Sequence, residues 1–219
     1  MNAERFGEIE EQLTRLQLVP VVSLPSVDAG LRLAEILIRC SLPVVEITFR
    51  TPCAAEAIAA MRKEFDELLV LAGTVLTIDQ AAIARDAGAQ GIVNPGFHKG
   101  LVEYCQNQKI MVCPGAATPT EVLQCLDMGL QKVKFFPAEI AGGVGMLTAM
   151  AAVFSDSQFM PTGGISPDNL GDYLALDCVF CCGGSWLAPE AMMKAGNWSE
   201  IEAFVSSAVA QLKGKTKIA

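Results

Sequence analysis

Short apolar segments alternate with longer segments of mixed polarity along the whole chain. Near the start, apolar residues recur at helical spacing and predict an amphipathic helix over Glu4–Leu18. An apolar run at Val19–Ser23 predicts the first strand, and Val27–Cys40 predicts the helix after it. Seven more strands are predicted at Pro43–Thr48, Leu68–Gly73, Gly91–Asn94, Ile110–Cys113, Lys132–Phe136, Phe159–Thr162 and Cys178–Cys182.

A helical segment follows each predicted strand, and the last helix is Ser199–Lys213. This alternation predicts an α/β protein with a parallel sheet. Eight units in 219 residues, with no long linker, fit a single (β/α)8 TIM-barrel domain over residues 1–219, with an extra N-terminal helix. An open doubly wound sheet is the alternative, which is weakened because no Gly-x-Gly-x-x-Gly follows the first strand.

The charge and hydropathy of the chain narrow its range of partners. A net charge of −8 and a pI near 4.7 argue against nucleic acid and anionic membrane surfaces as partners. No uncharged apolar run is long enough to span a bilayer, and the first residues do not read as a signal peptide. A hydrophobic content of 52% is high for a soluble monomer, which makes a subunit interface plausible.

The eight cysteines lie in apolar or helical contexts that are typical of buried free thiols. Cys178 and Cys181 have the spacing of metal ligands, but on a predicted strand residues three apart face opposite sides. The single histidine, His98, cannot build a metal site without other ligands. We therefore expect structural thiols, no metal, no cofactor and a cytoplasmic location.

The predicted strand Lys132–Phe136 carries a lysine between apolar residues. Because side chains alternate along a strand, Lys134 faces away from Val133 and Phe135. Burial disfavours the charged ammonium, and a neutral amine is a nucleophile that can form a Schiff base with a carbonyl. The alternative is a strand-end lysine whose ammonium reaches water along the surface.

Polar side chains also face inward on the second predicted strand, where Glu46, Thr48 and Arg50 share one face. A carboxylate inside a barrel is costly unless it is used or paired, so a buried Glu46–Arg50 ion pair is the structural alternative to catalysis. Thr74 ends the third strand. Since TIM-barrel sites lie at the C-terminal ends of strands, Lys134, Glu46, Arg50 and Thr74 are expected to meet at one mouth.

Two glycine pairs are predicted to follow the seventh and eighth strands. They are Gly163-Gly164 and Gly183-Gly184, the second with Ser185 beside it. Glycines let backbone N–H groups approach an anion, and the loops after these two strands often hold phosphate in this fold. Turns need glycine anyway, so each pair alone is weak evidence.

Three hydroxyl–proline dipeptides predict helix starts, with the hydroxyl as N-cap and proline at the first helical position: Thr51-Pro52, Thr118-Pro119 and Ser166-Pro167. Thr118 also precedes Glu121 with the spacing of a capping box, as Thr77 precedes Gln80. Capping explains these hydroxyls fully, so no chemistry is predicted for them.

These residues, in this order, resemble the bacterial 2-keto-3-deoxy-6-phosphogluconate (KDPG) aldolase family, also called 4-hydroxy-2-oxoglutarate (KHG) aldolases. The Lys-Phe-Phe-Pro-Ala-Glu stretch at residues 134–139 is specific, whereas the glycine turns are not. The similar stretches run from the second strand to the last: Val45–Pro52, Ala72–Leu76, Asn94–Phe97, Pro114–Gly115, Lys134–Glu139, Pro161–Ile165 and Gly183–Leu187.

The resemblance implies a trimeric class I aldolase in which Lys134 forms the Schiff base and Glu46 is the general acid and base. Arg50 and Thr74 match positions that hold the pyruvate carboxylate. The remaining positions implied to bind substrate are Pro95, Phe136 and Thr162, with Gly163, Gly164, Gly184 and Ser185 at the phosphate. The loop Ser23–Val27 matches least and leaves the substrate range open.

The implied reaction cleaves KDPG, a small phosphorylated 2-keto acid of the Entner–Doudoroff pathway, to pyruvate and glyceraldehyde 3-phosphate. KHG would give pyruvate and glyoxylate. Three alternatives stay open: a sister aldolase for 2-keto-3-deoxy-6-phosphogalactonate (KDPGal), a metal-dependent aldolase, and a phosphate-binding barrel that isomerises or only binds its ligand. One histidine disfavours the second, and the third would not need Lys134.

Overall fold

The computed structural model describes residues 2–213, with side chains described from Phe6 to Leu212. Parallel strands form the centre and helices surround them. The strands are β1 Leu18–Val22, β2 Val44–Thr48, β3 Leu69–Gly73, β4 Gly91–Val93, β5 Met111–Cys113, β6 Gly115–Ala116, β7 Lys132–Phe135, β8 Gln158–Pro161 and β9 Cys182–Gly184. The helices are α1 Asn2–Leu16, α2 Val27–Arg39, α3 Ala54–Glu64, α4 Ile78–Asp86, α5 Lys99–Asn107, α6 Pro119–Asp127, α7 Gly143–Ala151, α8 Leu170–Leu174, α9 Glu190–Ala195 and α10 Trp198–Lys213.

The strands close into a barrel. One sheet has the order β5-β4-β3-β2-β1-β9 and the other the order β6-β7-β8, with every pairing parallel. Pro114 separates β5 from β6, which are two pieces of one barrel strand, so the barrel has eight strand positions. Parallel bridges from Phe159 to Val179 and from Thr162 to Gly183 join the two sheets. The TIM-barrel prediction is confirmed, and the open sheet is wrong.

Helix α1 lies at the N-terminal ends of the strands. Its residues Ile9 and Leu13 are buried in the core, as its predicted amphipathic pattern requires. Glu10 also reaches the first residue of β7, where its carboxylate lies 3.4 Å from Lys132 Nζ. The extra helix therefore covers one end of the barrel and leaves the opposite end, where the strands finish, to the loops.

The prediction of the eighth barrel strand at Cys178–Cys182 is wrong. The strand β9 covers Cys182–Gly184, and Val179 makes only a single bridge to Phe159. Gly183 and Gly184 are thus strand residues, whereas the sequence placed them in the loop that follows. They are glycines because the Thr162 side chain and the Trp186 ring occupy the space where their Cβ atoms would stand.

Thr77 caps α4 as predicted, since its hydroxyl accepts from the Gln80 N–H at 3.1 Å. Of the three predicted hydroxyl–proline caps, only Thr118 is confirmed. Its hydroxyl accepts from the Glu121 N–H, and the Glu121 carboxylate accepts from the Thr118 N–H at 2.9 Å in a complete capping box. Helix α3 begins after Cys53 with no side-chain cap, because Thr51 turns its hydroxyl toward the Cys53 sulfur. Ser166 is also not a cap, since Asn169 intervenes before α8 and its side chain accepts from the Ser166 N–H.

All eight cysteines are free thiols. Burial raises the pKa of Cys105, Cys113 and Cys125 to about 12, so these thiols stay protonated at neutral pH. Within the described residues, no helix has both the length and the apolar character that crossing a membrane requires.

Candidate active site

A buried ion pair crosses the interior of the barrel between β7 and β2. Lys134 Nζ lies 3.1 Å from Glu46 Oε1 and 3.5 Å from Oε2. The two residues are 4% and 0% exposed, so the lysine does not reach water along the surface. Each charge offsets the desolvation of the other, and removal of either one leaves a buried unpaired charge.

Gly73 on β3 makes room for this pair. A Cβ atom at Gly73 would collide with the Glu46 carboxylate, which lies against the Gly73 backbone. β2 pairs with β3 in a register that sets Thr48 opposite Gly73, so the Glu46 side chain extends toward the C-terminal end of the neighbouring strand. The glycine is therefore required by the position of a carboxylate from a different strand, a contact that no local pattern reveals.

Above the pair lies a cavity of about 420 Å³ at the C-terminal ends of the strands. Phe136 follows β7 and lines it, with its ring centroid 5.5 Å from Lys134 Nζ. The other lining residues come from the strand ends and the loops after them: Val21, Ser23, Thr48, Arg50, Thr162, Gly163, Gly164, Ile165, Gly183, Ser185, Ala188, Pro189 and Glu190.

Arg50 lines this cavity two residues beyond β2 and exposes its side chain. The buried Glu46–Arg50 pair considered from the sequence is not formed, because Glu46 faces Lys134 instead. Thr48, between them in sequence, is 1% exposed and also lines the cavity. β2 thus carries a carboxylate in the interior and a hydroxyl above it, and the segment after it adds a guanidinium at the mouth.

Thr74 and Pro95 stand at the ends of the next two strands. Thr74 directly follows β3 with φ of 53°, in the left-handed region, and is half-buried. The backbone of Pro95 packs against Gly115, where a Cβ atom would collide with it. Neither is among the described residues that line the cavity. Of the five predicted residues, only Arg50 lines the cavity itself. Lys134 and Glu46 form their ion pair below it, and Thr74 and Pro95 lie beside it.

The turn after β8 holds consecutive glycines with positive φ, 97° at Gly163 and 82° at Gly164. L-residues rarely adopt this conformation, so glycine is needed for the backbone itself. The segment after β7 fixes the turn, because the Glu139 N–H donates to Gly163 O at 3.1 Å and the Ala138 N–H donates to Thr162 O at 2.9 Å. Thr162 lines the cavity together with both glycines.

Glu139 and Tyr173 support this turn from behind, and the sequence analysis missed their contact. The Glu139 side chain lies against Gly164, and its carboxylate accepts a hydrogen bond from the Tyr173 hydroxyl. Burial first, and then this bond, raise the pKa of Tyr173 well above its ordinary value, so the phenol stays a neutral donor. The two residues are 34 positions apart, which is why no spacing pattern links them.

The same wall of the cavity continues into β9 and the segment after it, because Thr162 bridges to Gly183. Ser185 follows β9, is exposed and lines the cavity, whereas Gly184 packs against the Trp186 ring and does not line it among the described residues. Glu190 at the start of α9 also lines the cavity, with its carboxylate 2.6 Å from Lys194 Nζ. An acidic residue in this wall was not predicted.

No group of three or more histidine, cysteine, aspartate or glutamate side chains, among those the structure describes, is arranged to hold a metal ion. The ionisable groups at the base of the cavity are instead one lysine and one carboxylate in direct contact. Such a pair can exchange a proton, and the amine that results can attack a carbonyl.

Comparisons with known proteins identify relatives of this chain. The family model described as KDPG and KHG aldolase matches residues 9–204. A 2-dehydro-3-deoxy-phosphogluconate aldolase of Treponema pallidum is 45% identical over 89% of this chain and 93% of its own length. The KHG/KDPG aldolase of Escherichia coli K12 is 42% identical over 91% of this chain and 94% of its own.

Solved structures agree in fold. A KDPG aldolase of Zymomonas mobilis with 3-phosphoglycerate has a TM-score of 0.85 and 39% identity, and covers 92% of this chain and 95% of its own. A Legionella pneumophila KDPG aldolase, with pyruvate captured as a covalent carbinolamine intermediate, also scores 0.85 at 39% identity, with coverages of 87% and 93%. A native KDPGal structure scores 0.75 at 29% identity, with coverages of 89% and 96%.

Proposed function

We propose a class I aldolase function for this chain, which belongs to the KDPG and KHG aldolase family. The reaction is cleavage of KDPG to pyruvate and glyceraldehyde 3-phosphate, with KHG cleaved to pyruvate and glyoxylate. The observation that carries the proposal is the contact of 3.1 Å between Lys134 Nζ and Glu46 Oε1 beneath the cavity. It supplies a nucleophile and a proton carrier at one point.

Imine formation begins with proton transfer from the Lys134 ammonium to the Glu46 carboxylate. The free amine attacks the C2 carbonyl of the substrate, and one proton moves from the attached nitrogen to the former carbonyl oxygen to give a carbinolamine. Glu46, now a carboxylic acid, protonates the departing hydroxyl, which leaves as water. The product is a protonated imine, whose positive nitrogen can accept an electron pair.

Cleavage uses the same two residues. The Glu46 carboxylate removes the proton of the C4 hydroxyl, the C3–C4 bond breaks, and its electron pair moves into the imine to form an enamine. The aldehyde leaves with C4. Glu46 then returns the proton to C3, and hydrolysis of the imine releases pyruvate and restores Lys134. The carbinolamine in the Legionella structure supports the same chemistry in that relative.

The substrate would lie between two anion-binding ends. Arg50 is suited to the pyruvate carboxylate because its planar fork matches two oxygens, and Thr74 is proposed as its neighbour there. Gly163, Gly164 and Ser185 line the opposite wall and are proposed to hold the phosphate. The predicted contacts of Pro95, Phe136, Thr162 and Gly184 with substrate stay predictions. Backbone N–H groups suit a phosphate in a chain of net charge −8, because they attract the anion locally.

A homotrimer in the cytoplasm remains a prediction from the resemblance and the composition. Several large apolar side chains stand exposed in the described part of the chain, which supports a subunit interface: Leu76, Ile78, Ile83, Leu123, Ile140, Val153 and Phe204. Preference for KDPG over KDPGal also remains a prediction, because these two substrates differ in the configuration of one hydroxyl group.

Borohydride reduction in the presence of pyruvate tests the proposal. The wild-type protein should gain one reduced pyruvate, mapped by mass spectrometry to Lys134. The Lys134→Arg variant keeps a positive charge but should gain none and lose nearly all cleavage of KDPG, since a guanidinium does not form the imine at ordinary pH. Lys132→Arg, two residues earlier on β7, is the matched control and should trap normally. An adduct at Lys132, or none in the wild type, contradicts the mechanism.

A further inference from the structure

Two hydroxyl groups meet on the wall of the cavity formed by β1 and β2. Ser23 directly follows β1, and its Oγ lies 2.8 Å from Thr48 Oγ1 on β2. Both residues line the cavity. Thr48 has a second partner, since its Oγ1 donates to Val22 O at 2.9 Å. The pair therefore forms a short chain from the cavity to a buried backbone carbonyl.

The number of hydrogen atoms in this chain fixes its direction. Each hydroxyl has one proton to donate and two lone pairs that can accept. The Thr48 hydroxyl donates its one proton to Val22 O. Ser23 is therefore the donor in the hydrogen bond between the two hydroxyls. Ser23 then has no further proton to donate, and its two lone pairs are free to accept a hydrogen bond at the cavity wall. Such a group is complementary to a donor on the ligand.

The position of Ser23 relative to Lys134 and Glu46 indicates which group of the substrate donates to it. Glu46 and Thr48 share one face of β2, with Thr48 one step nearer the mouth, and Ser23 contacts Thr48. In the proposed mechanism the C4 hydroxyl gives its proton to Glu46. The next hydroxyl along KDPG is on C5, between C4 and the phosphate-bearing carbon. KHG has a carboxylate carbon at C5 and no hydroxyl there.

We propose that Ser23 is a specificity-determining residue that accepts a hydrogen bond from the C5 hydroxyl of KDPG, the group carried by the glyceraldehyde 3-phosphate half. This inference rests on the proposed function, because it takes the substrate to be bound with C2 at Lys134. Thr48 is the positioning residue, since its bond to Val22 O orients Ser23 as an acceptor. Substrates with a hydroxyl at C5 are favoured over those with none or with an anion at that carbon.

The experiment compares kcat/KM for KDPG and KHG in the wild type, Ser23→Ala and Ser23→Thr. Ser23→Ala should lower kcat/KM for KDPG about three- to ten-fold, which is the range for one neutral hydrogen bond, and leave KHG unchanged or improved. Ser23→Thr keeps the hydroxyl and should retain most of the preference for KDPG. The matched control is Ser155→Ala, an exposed serine before β8, which should change neither substrate.

A second measurement isolates the hydroxyl group itself. In the condensation direction, pyruvate is combined with glyceraldehyde 3-phosphate or with 3-oxopropyl phosphate, which lacks the hydroxyl next to the aldehyde. The wild type should prefer glyceraldehyde 3-phosphate. Ser23→Ala should react more slowly with glyceraldehyde 3-phosphate and at the wild-type rate with 3-oxopropyl phosphate, so its preference should be smaller. This substrate–variant cycle separates the contact from a general change in the site.

Three outcomes overturn the assignment. Equal losses on KDPG and KHG would mean that Ser23 only supports the wall, and no loss on either would mean that it does not contact substrate. An unchanged preference between the two aldehydes in Ser23→Ala would place the C5 hydroxyl elsewhere. Each of these results can occur in an enzyme that still traps pyruvate at Lys134. A wild type that neither traps pyruvate nor cleaves KDPG contradicts the proposed function itself.

Discussion

The two ends of the cavity are built in different ways. At its base, Lys134 and Glu46 are buried side chains that face each other directly. At the opposite wall, Gly163 and Gly164 contribute backbone, and Ser185 contributes an exposed hydroxyl. The base consists of two charged side chains in contact, whereas the wall depends on a backbone shape that other residues maintain from behind.

The two ends also differ in how much free energy the loss of one side chain should cost. Removing one partner of a buried ion pair costs about 3–5 kcal/mol because a charge is left unpaired. An exposed neutral hydrogen bond contributes only about 1 kcal/mol. Variants at the base should therefore lose both chemistry and stability, while variants at the wall should change mainly how one class of substrate binds. A comparison of KDPG with KHG separates the two kinds of effect, since only KDPG has a phosphate.

Glu46→Gln should give the largest effect. The amide keeps the shape and can still accept from Lys134, but it cannot carry a proton, so kcat should fall about 10²- to 10⁴-fold on both substrates. KM should change little. Steady-state kinetics test this, with thermal unfolding as the control for stability. A variant that is folded and active near the wild-type rate would show that Glu46 serves only to neutralise Lys134.

Arg50→Ala should have the next largest effect, on binding. The proposed bond to the pyruvate carboxylate is charge-assisted, and its loss should cost about 1.5–3 kcal/mol, or roughly 10- to 150-fold in kcat/KM. Both substrates carry that carboxylate, so they should lose equally, mainly through KM. Because Arg50 is exposed and Glu46 pairs elsewhere, the unfolding temperature should stay near the wild-type value. A large loss of stability would instead point to a structural ion pair.

The contrast between the two ends also explains which residues of the site could be predicted from the sequence. Lys134 and Glu46 were predicted to face the barrel interior because each is a charged residue on a predicted apolar strand, and the structure buries both there. Glu139 and Tyr173 were missed because each is unremarkable in its own segment and their bond exists only after folding. Gly183 and Gly184 were assigned to a loop for a related reason: without side chains they do not read as a strand, although Thr162 and Trp186 require their small size.

Gly164→Ala should disturb the wall through the residue behind it. Its φ of 82° strains any L-residue, and the new Cβ would meet the Glu139 side chain, so about 1–3 kcal/mol of unfolding free energy should be lost. The displaced turn should lower kcat/KM for KDPG about ten-fold and for KHG much less.

Gly145→Ala is the matched control for this change. Gly145 lies in α7, and nothing lies within 4 Å of a Cβ built there. Alanine in a helix is favoured over glycine by about 1 kcal/mol, so this variant should be slightly more stable and fully active. Equal losses on KDPG and KHG in Gly164→Ala would mean that the turn serves the fold rather than the phosphate.

Ser185→Ala should give the smallest effect and the clearest separation between substrates. It removes one exposed donor from the wall and leaves the backbone of β9 unchanged, so stability should stay near wild type. The loss should be about 1 kcal/mol in kcat/KM for KDPG, roughly five-fold, and nothing for KHG. Inorganic phosphate should also compete less well against KDPG in this variant. If both substrates lose equally, or if inhibition by phosphate is unchanged, Ser185 does not contact the phosphate group.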